Sequence, residues 1–90
     1  MEKYDNIIGD KMIGKIIKTM RRENNLTQEE LSNKIFVGRT TLSDYEREKT
    51  DINFETIEKI ANVCNYEIVF INKQNKNRIL TTKNINREEI

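Results

Sequence analysis

The 90-residue chain has no histidine, no tryptophan and one cysteine, and each shortage removes a class of chemistry. Without histidine it lacks the usual general base near neutral pH. A zinc site of the common Cys/His kind cannot be built from a single thiol. No nucleophile paired with a base is evident, so neither an enzyme nor a cofactor or metal is expected. The lone thiol, Cys64, has no partner for an internal disulfide, and its place on an apolar helical stripe predicts a small core residue. No apolar run nears the roughly 20 residues of a membrane-spanning helix. The opening MEKYDNIIGDK also lacks the basic-then-apolar layout of a signal peptide. A cytoplasmic protein with no membrane role is expected, of a size that fills one domain and leaves no room for a second, catalytic one.

What is present is charge, unevenly placed. Sixteen basic and fifteen acidic residues leave a formal net charge of +1, which argues against indiscriminate coating of nucleic acid. Lys11 to Arg22 holds five basic residues and no acid, as does Ile68 to Arg87, while the middle carries most of the acids.

Four helices announce themselves by period and start signal. Ile13, Ile16, Ile17 and Met20 recur at the spacing of one apolar face, with Lys11, Lys15, Lys18 and Arg22 opposite, either a solvated face or a contact surface. Asp10 is the expected cap, with a start nearer Asp5 as the alternative. The second helix opens on Thr27-Gln28-Glu29-Glu30, a capping box stapled by Leu26 and Leu31, with Leu31 and Ile35 inward. Phe36 and Val37 are expected to lock it against the next helix. Gly38 then caps a third helix running to about Arg47, with Leu42 and Tyr45 in the core and Arg39, Thr40, Ser43 and Asp44 outward. A glycine cap leaves the first N–H groups free to face a phosphate, although a simple turn glycine would look the same. The fourth helix is capped by Asn53, stapled by Ile52 and Ile57, lined by Ile57, Ile60, Ala61 and Cys64, and stopped by Asn65 in a left-handed conformation.

Two short helices joined by a tight turn between Leu26 and Lys49 fit a helix-turn-helix, whose second helix lies in the major groove. From about Ile13 to Asn65 the sequence resembles the XRE, or lambda-repressor-like, helix-turn-helix family. The matching stretches are Met20-Arg21, Leu26-Thr27-Gln28-Glu29-Glu30-Leu31, Arg39-Thr40-Thr41-Leu42-Ser43, Tyr45-Glu46, Thr56-Ile57 and Lys59-Ile60-Ala61. The resemblance implies an all-α bundle of four or five helices. It implies a structural ion pair between Arg21 and Glu46, tying the first helix to the end of the recognition helix. Gln28 is implied to touch a phosphate and brace the first residue of that helix, and it is grouped with Arg39, Thr40 and Asp44 as a base-reading position.

Chemistry supports those roles. The Arg39 fork can donate twice to guanine, Thr40 can offer its methyl to thymine, and Asp44 can only accept, favouring cytosine. Asp44 could equally pair with Arg47 or Lys49 on the surface. Thr27, Thr41, Ser43, Arg47 and Lys49 are candidate phosphate contacts, which fix register without reading sequence. Two residues depart from the family pattern. Phe36 stands where a turn glycine is usual, so either it accepts a positive φ or the turn is rebuilt around Gly38. Glu48 stands where a glycine usually ends the third helix, putting an acid near the backbone-contact loop.

After Asn65 the pattern turns extended. Tyr66 to Asn72 reads as a strand, with Ile68 and Phe70 on one face and Val69 and Ile71 on the other. An open edge needs a partner. The candidates are a hairpin through Asn72 to Asn77 to a second strand at Arg78 to Thr82, the same strand of a second subunit with or without that hairpin, or a strand folded back on its own domain. Intermolecular pairing is favoured, with Ile68, Val69, Phe70 and Ile71 as the interface. The expected organisation is thus an N-terminal segment 1–9, a DNA-binding domain 10–65, a dimerisation element 66–82 and a mobile tail 83–90. The expected function is a homodimeric, sequence-specific regulator, most plausibly a repressor, on a palindromic double-stranded DNA operator. The alternative is an antitoxin that binds a toxin protein and represses its own operon.

Overall fold

A computed structural model describes residues 12–81. The expected Asp10 cap, Lys11, the 1–9 segment and the 83–90 tail lie outside the described residues. Four helices, α1 (Ile13–Glu23), α2 (Gln28–Ile35), α3 (Arg39–Glu46) and α4 (Phe54–Val63), are followed by two strands, β1 (Val69–Ile71) and β2 (Ile79–Thr81).

The helices meet around Ile17, Met20, Leu31, Ile35, Leu42, Ile60, Ala61 and Cys64, all buried, with Ile13, Leu26, Val37, Tyr45, Ile52, Val63 and Ile68 packed around them. α3 packs on α1 and α2, and α4 closes the other side of both. Burial pushes the Cys64 thiol above its ordinary pKa, so it stays a neutral apolar side chain. Ile16 departs from expectation: it sits on the edge of the α1 stripe and is 48% exposed, because the bundle is narrower than the stripe.

Start signals are legible in atoms. Thr27 Oγ1 accepts from the Glu30 amide at 3.0 Å while the Glu30 carboxylate accepts from the Thr27 amide at 2.8 Å. Those two bonds hold the Glu30 carboxyl below its ordinary pKa, so the box is intact above the ordinary carboxylate range and fades as pH falls through the lowered value. Asn53 Oδ1 accepts from the Thr56 amide at 2.8 Å. α1 starts differently. No local side chain caps it. Instead Glu48, from the loop after α3, accepts from the Gly14 amide at 2.8 Å. A Cβ on Gly14 would stand 2.4 Å from the Glu46 carbonyl oxygen, so only glycine lets α1 approach the end of α3 this closely.

Each helix stops at a left-handed residue, and none is glycine: Asn25 (φ 57°), Phe36 (φ 62°), Glu48 (φ 60°) and Asn65 (φ 64°). The paired backbone bonds of a Schellman turn follow, for example Leu26 to the Arg21 carbonyl and Tyr66 to the Ala61 carbonyl. Asparagine enters this region readily, whereas phenylalanine does so only under strain, and Phe36 shows that strain at φ 62°. Phe36 therefore takes the positive φ itself, and Gly38 keeps an ordinary extended φ of −71°. The expectation that Phe36 locks α2 against α3 is corrected: its ring is 89% exposed, and Val37 alone packs inward. Phe36→Gly should raise stability by roughly 0.5–1 kcal/mol, relief of left-handed strain exceeding the added chain entropy. Urea unfolding checks this, and a loss of stability would show that the ring supports the fold.

The strands form an antiparallel hairpin, with Val69 opposite Thr81, Phe70 opposite Leu80 and Ile71 opposite Ile79. The asparagines shape its loop, since Asn72 Oδ1 accepts from the Gln74 and Asn75 amides. The strand is shorter than expected. Ile68 lies before it and packs on the helical core, while Val69, Phe70 and Ile71 remain exposed.

Candidate nucleic-acid interface

The scaffold of the site is a buried pair. Arg21 Nε donates to Glu46 Oε2 at 2.6 Å and Nη2 donates to Oε1 at 3.0 Å, a two-pronged contact. Nη1 donates to the Leu26 carbonyl at 2.8 Å. With the two side chains 10% and 2% exposed, this pair fastens the end of α3 to α1 as the resemblance implied. Gln28 joins it, its amide donating to Glu46 Oε1 at 3.1 Å. Here the expectation is corrected. Gln28 braces the last residue of α3 rather than the first, and the bond that holds it inward occupies an amide proton expected to face DNA.

With that inner side fixed, the opposite side of α3 is displayed. Arg39, Thr40 and Thr41 are exposed in its first turn, and Ser43 and Asp44 are half-buried further along. Gly38 caps the helix without a side-chain hydrogen bond. Its φ is ordinary, and an added Cβ would meet only Thr41 Oγ1 at 3.7 Å. Neither turn geometry nor crowding therefore requires glycine here. What it leaves is a helix N-terminus with no side-chain cap, one residue before the exposed Arg39.

Thr27 is exposed at the start of α2, and Arg47 and Lys49 are exposed in the loop after α3. Among the described residues Asp44 has no ion-pair partner, so the pairing with Arg47 or Lys49 left open by the sequence is not formed. Glu48 is turned away from the outer surface onto α1, and its acid is spent on the Gly14 amide. The loop therefore presents Arg47 and Lys49 with less opposing charge than its sequence implies.

Sequence reasoning missed Gly14 and the Glu48 cap, which join residues 34 positions apart. It also missed Asn24, whose Nδ2 donates to the Met20 and Cys64 carbonyls at 2.9 Å and so ties the ends of α1 and α4. Among the described residues no cluster of three or more metal-ligating side chains occurs. No helix among them is long and apolar enough to cross a membrane.

Comparison with known proteins meets this geometry. A helix-turn-helix family model (HTH_3) matches residues 17–71. The HTH-type transcriptional regulator ImmR of Bacillus subtilis is 36% identical over 53 residues, which are 59% of this chain. The matched region spans 42% of ImmR, well under half its length. Among solved structures, a mutant of the restriction-modification controller protein C.Esp1396I aligns with TM-score 0.58 and 28% identity, over 62% of this chain and 73% of that one. SinR, the master regulator for biofilm formation, solved in complex with DNA, aligns with TM-score 0.57 and 34% identity, over 61% and 89%. A SinR/SinI protein complex aligns with TM-score 0.54 and 33% identity, over 60% of this chain and 53% of that one. The antitoxin alternative gains no support from these relatives. The family model covers more than half of the sequence and both the bundle and the relatives agree with it, so the chain belongs to the XRE-type helix-turn-helix family.

Proposed function

We propose that this protein is a cytoplasmic, sequence-specific repressor that binds a roughly palindromic double-stranded operator as a homodimer. The observation that carries the proposal is the outer face of α3. Arg39, Thr40 and Thr41 are exposed at an uncovered helix N-terminus, while the inner face is held by a buried ion pair. In this role Arg39 and Thr40 read base edges, with Asp44 one turn later, and Thr27, Thr41, Ser43, Arg47 and Lys49 hold phosphates. Gln28 acts from behind, through Glu46. The similarity to SinR, solved in complex with DNA, supports DNA as the ligand.

Two copies would set their third helices about 34 Å apart, one turn of duplex. The hairpin supplies a pairing surface. Val69, Phe70, Ile71 and Ile79 are all more than 40% exposed, and Phe70 lies with its ring 6.4 Å from that of Phe54. An apolar surface of this kind is what a subunit contact covers. Phe70→Glu should convert the dimer to a monomer in light scattering while leaving the helical circular dichroism intact. A dimer that persists would remove the hairpin from the interface.

Selection of bound duplexes from a random oligonucleotide pool tests the proposal as a whole, and the expected product is a single inverted-repeat motif. A pool that shows no enrichment would refute sequence-specific binding. Lys49→Ala should weaken binding to every sequence alike and reduce the slope of log affinity against log salt by about 0.9, the share of one phosphate contact. Titration over a range of salt measures that slope, and an unchanged value would take Lys49 off the backbone.

A further inference from the structure

Of the four left-handed residues that end the helices, three have an evident reason. Asn25 and Asn65 tolerate the conformation, and Glu48 uses its side chain to cap α1. Phe36 closes the turn after α2 on the same strained backbone while its ring is 89% exposed, so a phenylalanine here adds no packing to the fold. Beside the ring lies a groove of about 330 Å³ lined by Lys34, Ile35, Phe36, Lys59, Asn62 and Val63. Its lining holds three apolar side chains, two ammonium groups, an amide and no carboxylate.

The groove sits at the C-terminal ends of α2 and α4. Thr27, the proposed phosphate contact at the other end of α2, is eight helical residues away, roughly 12 Å at 1.5 Å per residue. A docked partner would therefore leave that end of α2 free for DNA. Aromatic side chains, phenylalanine among them, are enriched in the cores of protein contacts. Charge then selects the occupant, because two lysines and no acid favour carboxylates.

We infer that this groove docks an acidic segment of another protein, with an apolar side chain packed on the Phe36 ring and carboxylates facing Lys34 and Lys59. The docking goes beyond DNA binding and does not depend on it.

The test uses the isotope-labelled full chain and two short synthetic helical peptides. Both carry leucine along one face, flanked by glutamate in one and by lysine in the other. The glutamate peptide should shift the amide signals of residues 34–37 and 59–63, and the lysine peptide should not. Phe36→Gly, which suits the turn, should weaken the binding at least about tenfold, the loss of one aromatic anchor. Lys34→Glu with Lys59→Glu should reverse the preference between the peptides. Equal binding of both peptides, or no shifts at the groove, would overturn the inference. Three further results would do so by assigning the groove elsewhere. They are shifts that grow with protein concentration alone (a second copy), shifts that appear on deleting residues 82–90 (the chain's own tail), and a loss of duplex affinity in Phe36→Gly (part of the DNA surface).

Discussion

Replacing Glu46 with alanine is expected to cost the fold about 3–5 kcal/mol, the penalty for leaving a buried charge without its partner. Arg21 would keep its bond to the Leu26 carbonyl and lose both carboxylate contacts, at a site where water reaches little of either side chain. Gln28 would lose its acceptor too. A domain of this size holds roughly 5–15 kcal/mol in all, so the variant should unfold at far lower urea. Replacing both partners, Arg21→Met with Glu46→Leu, should recover most of the loss, because the charge itself is then gone. A single-variant loss below about 1 kcal/mol would mean that the pair behaves as an exposed one and does not hold α3 in place.

Arg39→Ala should lower affinity for the selected operator by roughly 10- to 100-fold, the equivalent of about 1–3 kcal/mol of base discrimination. Binding to random duplex should change little, because a base-reading side chain contributes to discrimination rather than to the common electrostatic term. Stability should be untouched, since the side chain is exposed and makes no contact that the core uses. Equal losses on operator and random DNA would reassign Arg39 to the backbone. Paired with Glu46→Ala, this variant separates presentation of the helix from what the helix reads. The first should lose binding together with structure, the second with structure intact.

The helices were legible because their signals are local. A capping box spans four residues, an Asn cap four, and an apolar stripe repeats every turn, so Thr27, Asn53 and the Ile60-Ala61-Cys64 face could be placed from the chain alone. The extended run was legible in the same way, but its partner was not: the sequence favours pairing with a second subunit, and the structure pairs it with β2 of the same chain. Arg21, Glu46 and Arg39 came from family resemblance, which carries tertiary information that spacing does not. Misplaced residues were those whose surroundings come from distant parts of the chain. Ile16 belongs to an apolar stripe wider than the bundle it faces. Gln28 turns inward because Glu46 is there to accept from it.

By itself, then, the sequence determined the order of the helices and the caps of α2 and α4, since these follow from contacts within a few residues. Only the tertiary structure decided the rest. Glu48 is drawn off the outer surface onto α1, Gly14 is irreplaceable beside the Glu46 carbonyl, and Phe36 is strained yet uncovered. Each depends on an approach between elements far apart in the chain, where packing overrides local preference.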